Sequence, residues 1–139
     1  MRFMILVKAN EMSEKGALPD AKLFEEMGKY NEELVKAGVM LAGDGLHPSS
    51  KGARVKFGAS TRTVVDGPFA ETKELLAGYW IFQVKSKEEA IEWVKRAPFP
   101  AGEEVEIRQV HEPHDLASVD PSGELRAKEA ALRAAIEKR

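Results

Sequence analysis

Residues 2–8 place Phe3, Ile5 and Val7 on one side of an extended chain and Met4 and Leu6 on the other. A strand that is apolar on both faces belongs in the middle of a sheet, with material covering each side. The segments that follow have to supply those layers. Asp20 is placed to cap a helix running to Ala37, with Leu23, Met27, Tyr30 and Leu34 as its buried stripe and Gly38 as its stop. Residues 39–43 read as a second strand. A loop punctuated by Gly43, Gly45, Pro48 and Gly52 leads into a hairpin, 54–57 and 62–65, turning at Gly58-Ala59-Ser60. Residues 78–84 alternate Trp80, Phe82 and Val84 against Tyr79, Ile81 and Gln83, the strongest strand signal in the chain.

Ser86 and Glu89 form a capping-box pattern that opens a helix through Arg96, with Ala90, Ile91, Trp93 and Val94 facing inward. Pro98 ends it, and 105–110 is the last strand. Residues 10–19 and the stretch after Val110 read as polar loops. The order is β-α-β, a hairpin insertion, then β-α-β. This predicts an α+β fold of the split-βαβ, ferredoxin-like kind. Asp120-Pro121 opens a C-terminal helix, with proline at its first position and Leu125, Leu132 and Ile136 as a thin apolar stripe. The expected organisation is one domain over 1–115 and a helical extension over 116–139.

Composition excludes several classes of function. The 139 residues contain no cysteine, so disulfides, thiolate metal sites and cysteine nucleophiles are absent, as suits a cytoplasmic protein. Lys and Arg total 21 against 23 Asp and Glu, which leaves no basic field to hold nucleic acid directly. The apolar N-terminus is followed at once by Lys8, Asn10 and Glu11 and reads as a strand rather than a signal peptide. No apolar run reaches membrane-spanning length. Glycine-rich phosphate loops, a dinucleotide fingerprint and a nucleophile elbow are also missing, and no cofactor is expected.

The groups that remain for chemistry are few. Asp66 ends a strand beside Gly67-Pro68, where its carboxylate can serve as a general base, orient a histidine, or simply accept N–H bonds in its own turn. His47 lies in a loop with Asp44 and titrates near neutrality, which suits proton transfer. His111 and His114, flanked by acids, have only a weak metal-binding pattern, and no metal is expected. Glu106 and Arg108 share one face of the last strand, as a surface pair or as the wall of a pocket under a partner subunit. Lys73 and Glu71 admit the same two readings.

The run Val65-Asp66-Gly67-Pro68-Phe69-Ala70-Glu71-Thr72-Lys73-Glu74 closely resembles the signature of the DGPF branch of the YCII-related family. Leu46-His47-Pro48, Gly78-Tyr79-Trp80-Ile81-Phe82, Glu88-Glu89-Ala90-Ile91-Glu92-Trp93 and Val105-Glu106-Ile107-Arg108 support it by order and spacing, over roughly residues 1–112. The resemblance implies a homodimer closed sheet to sheet as a dimeric α/β barrel, with a pocket between the sheets near the end of the Asp66 strand. It implies a histidine–aspartate acid/base pair there. Asp66 matches the aspartate, but residues 21–37 contain no histidine, so His47 has to supply the partner or Asp66 works alone.

The first expectation is therefore a small enzyme doing acid/base chemistry on a small polar organic molecule. Asp66 and His47 would be catalytic, and Phe69, Lys73, Glu106 and Arg108 would bind the substrate. The alternative is a non-catalytic dimeric module that binds a ligand or a protein partner. Family members of this type occur beside sigma-factor-like regulators, which implies a regulatory role by association. In the remaining reading the Asp-Gly-Pro-Phe turn is purely architectural.

Overall fold

The computed structural model describes residues 1–138. Four antiparallel strands form the main sheet: β1 (Arg2–Lys8), β2 (Met40–Gly45), β5 (Leu76–Gln83) and β6 (Val105–Gln109), in the order β2-β5-β1-β6. The helices that link them are α2 (Ala21–Lys36) and α3 (Lys87–Lys95). This is the ferredoxin-like α+β arrangement that the element order predicts. The insertion between β2 and β5 is a separate two-stranded hairpin, β3 (Ala53–Phe57) against β4 (Arg62–Asp66). Contacts divide the chain into two compact units, Met1–Gln109 and the segment from Val110 onward.

The core lies between the helices and one sheet face. Phe3, Ile5, Trp80 and Phe82 point from β1 and β5 onto Tyr30 and Leu34 of α2 and Ala90 of α3. Two hydrogen bonds fix the helices against this layer. The Tyr30 hydroxyl donates to the Trp93 carbonyl at 2.7 Å, and the Trp80 indole donates to Asn31 Oδ1 at 2.9 Å. Tyr30 and Trp80 meet edge to face, 5.7 Å between centroids, the arrangement that ring quadrupoles favour. On the other face, Met4 and Leu6 of β1 and Tyr79 and Ile81 of β5 stay half-exposed and outside this core. The expectation that β1 is covered on both faces is thus met on one face by the chain's own helices.

Helix ends follow the chemistry of unpaired backbone groups. Asp20 caps α2 by accepting the Leu23 N–H at 2.8 Å, and Gly38 follows the helix at φ 71°. Ser86 caps α3 through the Glu89 N–H, but Glu89 does not reciprocate to Ser86. Its carboxylate takes the Lys85 N–H at 2.8 Å, one residue further out.

Two short elements depart from the polar loops expected. Asn10 caps the single-turn helix α1 (Glu11–Glu14) by a reciprocal exchange with Ser13, and residues 113–119 wind as a 3-10 helix. The C-terminal helix, α4 (Glu124–Glu137), starts later than Asp120-Pro121 predicts. Asp120 is buried and caps from upstream, accepting the N–H groups of Leu125 and Arg126 and pairing with the Arg126 guanidinium at 3.0 Å. The Arg126 N–H, chiefly, holds its carboxyl below the usual range.

Burial pushes the Tyr30 phenol up to about 12. The folded state therefore favours the neutral phenol. That contribution is complete below the unfolded value of about 10 and is lost as pH rises from there through about 12. Urea unfolding from pH 9 to pH 12 should show a fall in stability that is smaller in Tyr30→Phe by about 2 kcal/mol, most of the roughly 2.7 kcal/mol of a two-unit shift.

Candidate functional site

The Asp66–Phe69 corner is built by accounting for its backbone N–H groups. The Gly67 N–H donates to the Gly52 carbonyl at 3.0 Å. Pro68 has none. The Phe69 N–H donates to Ser49 Oγ at 3.0 Å. A Cβ at Gly67 would lie 1.8 Å from the Ser49 carbonyl oxygen, so only glycine permits this approach. Ser49 is itself held from α1: its hydroxyl donates to Glu14 Oε1 and its N–H to Glu14 Oε2 at 3.0 Å. Asn10, the cap of α1, in turn donates to Glu103 at 2.7 Å. Segments far apart in sequence thus converge on one serine.

This arrangement consumes the donors that Asp66 would otherwise accept from. Asp66 is exposed, and its carboxylate has no hydrogen-bond or ion-pair partner among the described residues. His47 is also exposed and unpartnered, so the two do not form a hydrogen-bonded dyad within the chain. Their backbones are nonetheless neighbours. His47 precedes Ser49 by two residues, Asp66 precedes Gly67 by one, and Ser49 and Gly67 are in contact.

Phe69 is half-buried, and the Arg54 guanidinium lies over its ring, 3.8 Å from the centroid. Beyond it, residues 72–74 form a single 3-10 turn that presents Lys73 to solvent without a partner. Glu74 shares a hydrogen bond with Glu71, which raises its pKa above the usual carboxylate range; Lys8 and Arg54 nearby act in the opposite direction. The Ala9 N–H donates to the Leu75 carbonyl at 2.9 Å and ties this turn to the end of β1.

Glu106 lies between two cations, 3.3 Å from Lys8 and 3.3 Å from Arg108. The hydrogen bond from Arg108, with that from Lys8, lowers its pKa and keeps it ionised. Glu106 thus bridges Arg108 and Lys8, while Lys8 and Arg54 act on Glu74 through space without pairing with it. Register places two rows on the half-exposed sheet face: Ala42, Ile81, Met4, Arg108 and Asp44, Tyr79, Leu6, Glu106. The Tyr79 hydroxyl donates to Asp44 at 2.8 Å, which raises the phenol's pKa.

Sequence reasoning did not single out Glu14, Ser49, Arg54 or Lys8. The Glu14–Ser49 bond spans 35 residues and ends on a short helix that composition disguises as loop. Only the hairpin register, which sets Arg54 opposite Val65, hints that Arg54 approaches the corner. Elsewhere, His111 and His114 lie 3.9 and 3.3 Å from Asp115 and are exposed. No group of three or more acids or histidines among the described residues is arranged to hold a metal ion. Among the same residues no helix is long and apolar enough to cross a membrane.

A family model described as the YCII-related domain matches residues 1–113. An uncharacterised protein of Rhizobium meliloti (strain 1021) is 28% identical over 103 residues, an alignment that spans 71% of this chain and 83% of that protein. The family match covers the part of the chain that carries the sheet, the hairpin and the corner.

Ser49→Ala removes the acceptor of the Phe69 N–H and a donor to Glu14. It should cost about 1–3 kcal/mol, the penalty for leaving such groups unpaired. Amide exchange should accelerate selectively at Phe69, read residue by residue by NMR. Unchanged exchange there would show that Ser49 does not hold the corner.

Proposed function

The chain belongs to the YCII-related family, and we propose that it is a DGPF-branch homodimer that moves protons on a small polar organic molecule. Asp66 is the catalytic carboxylate in this reading. The observation that carries it is the free state of that carboxylate: the turn's own N–H groups bond elsewhere, so its oxygens are left to act outward. A group that only stabilised its turn would be bonded within it.

The dimer closes sheet on sheet. Met4, Leu6, Ile81 and Tyr79 form a half-exposed apolar centre rimmed by charge, and a two-fold axis lets this one patch cover itself in a second copy. Closure would exclude water from the rim and strengthen its electrostatics. His47 then serves as proton partner, and Phe69, Lys73, Glu106 and Arg108 line the substrate space. Residues 1–115 form the working domain, 116–139 are an extension, and the protein acts in the cytoplasm. A second reading, a regulatory module docking a protein partner, is favoured by α4, where Leu125, Leu132 and Ile136 are each more than 60% exposed.

Sedimentation should give twice the chain mass of 15.4 kDa for the wild type. Ile81→Glu should sediment as a folded monomer by circular dichroism. In deuterium oxide, a screen of small oxo- and hydroxy-acids followed by NMR should find a substrate whose carbon-bound hydrogen exchanges. Asp66→Asn should slow that exchange by about 10²–10⁴-fold, the usual contribution of a positioned acid or base. Full exchange activity in Asp66→Asn would overturn the assignment.

A further inference from the structure

Among the described residues three arginines stack on aromatic rings, and they differ in what their donors do. Arg62 lies over Phe57 at the hairpin tip, and its Nη1 is spent on the carbonyls of Thr61 and Gly58. Arg96 lies over Trp93 at the C-terminal cap of α3, on the helical side of the sheet. Arg54 lies over Phe69, in the corner itself, and none of its N–H groups has a hydrogen-bond or ion-pair partner among the described residues.

We propose that Arg54 is the anion anchor of this site and holds the carboxylate of a small organic acid by paired N–H bonds. A guanidinium presents parallel donors that match a carboxylate's two oxygens. Its face is fixed on a ring whose own backbone is tied to Ser49 and, through it, to Glu14. The fork therefore needs little ordering when a ligand arrives. Glu74, which feels Arg54 through space, shares its hydrogen bond with Glu71 instead of forming an ion pair with Arg54. Lys8, the other cation that acts on Glu74, stands two residues from Leu6, where the apolar sheet centre begins. An organic acid with a short apolar body fits that combination.

The inference rests on the reading of the Asp66 corner as a ligand site, and titration with benzoate, monitored by NMR and calorimetry on the intact protein, tests it separately. Benzoate should shift the Arg54 side-chain and Phe69 signals, and benzamide, its neutral analogue, should bind at least about tenfold more weakly. Arg54→Gln should lose at least about tenfold in benzoate affinity. Arg54→Lys, which keeps the charge and loses the fork, should also bind more weakly than the wild type. Arg96→Gln should bind as the wild type does. Cross-strand contacts between Val55 and Val64 in each variant establish that the hairpin is intact. If intact Arg54→Gln binds benzoate as tightly as the wild type, or if the wild type does not bind benzoate, the anchor assignment is overturned. A monomeric wild type, or undiminished exchange in Asp66→Asn, overturns the underlying reading instead, and neither changes how the Arg54 titration is scored.

Discussion

Two helices cannot cover both faces of a four-stranded sheet. Here α2 and α3 lie on the face that carries Phe3, Ile5, Trp80 and Phe82, and the opposite face keeps Met4, Leu6, Tyr79 and Ile81 half-exposed. The remaining features depend on this asymmetry. The buried face fixes the fold through shape and a few hydrogen bonds from Tyr30 and Trp80. The open face concentrates nearly all the charge–charge contacts of the sheet along β1 and β6, where Glu106 bridges Lys8 and Arg108. The apolar centre of that face is rimmed by these charges.

The corner shows how backbone accounting frees a side chain. An aspartate before Gly-Pro ordinarily satisfies its oxygens on nearby N–H groups. In this protein Gly52 and Ser49 take those N–H groups, because the loop preceding the hairpin folds back against the turn following it. Gly67 makes the approach sterically feasible, and Glu14 holds Ser49 in place. The same loop holds Phe69 beneath Arg54. An unspent carboxylate and an unspent guanidinium thus stand in adjacent cross-strand pairs of one hairpin.

Much of the fold is legible in the sequence, because periodicity and capping are local. Leu23, Met27, Tyr30 and Leu34 repeat at helical spacing, and Trp80, Phe82 and Val84 alternate as a strand must. The misreadings occur where a local signal competes with a longer-range one. Residues 10–19 are polar throughout, yet Asn10 and Ser13 exchange caps and wind a turn that Glu14 then uses. Glu89 reaches Lys85 instead of closing its box, and Asp120 caps a helix that begins beyond Pro121. The candidate site was legible at Asp66, Phe69, Glu106 and Arg108, which stand in recognisable strand and turn contexts. Glu14, Ser49 and Arg54 were not, since their roles exist only through partners in other elements.

By itself the sequence determined the order of elements, the apolar faces, the helix stops and the glycine-proline break after Asp66. Each of these follows from steric and hydrogen-bonding preferences acting over a few residues. The tertiary structure alone decided which sheet face the helices leave open, that the donors around Asp66 are consumed by Gly52 and Ser49, and that Arg54 is fixed on Phe69 with its own donors free. Those outcomes arise from contacts between segments tens of residues apart, where the energy depends on how the elements pack and no local pattern records the result.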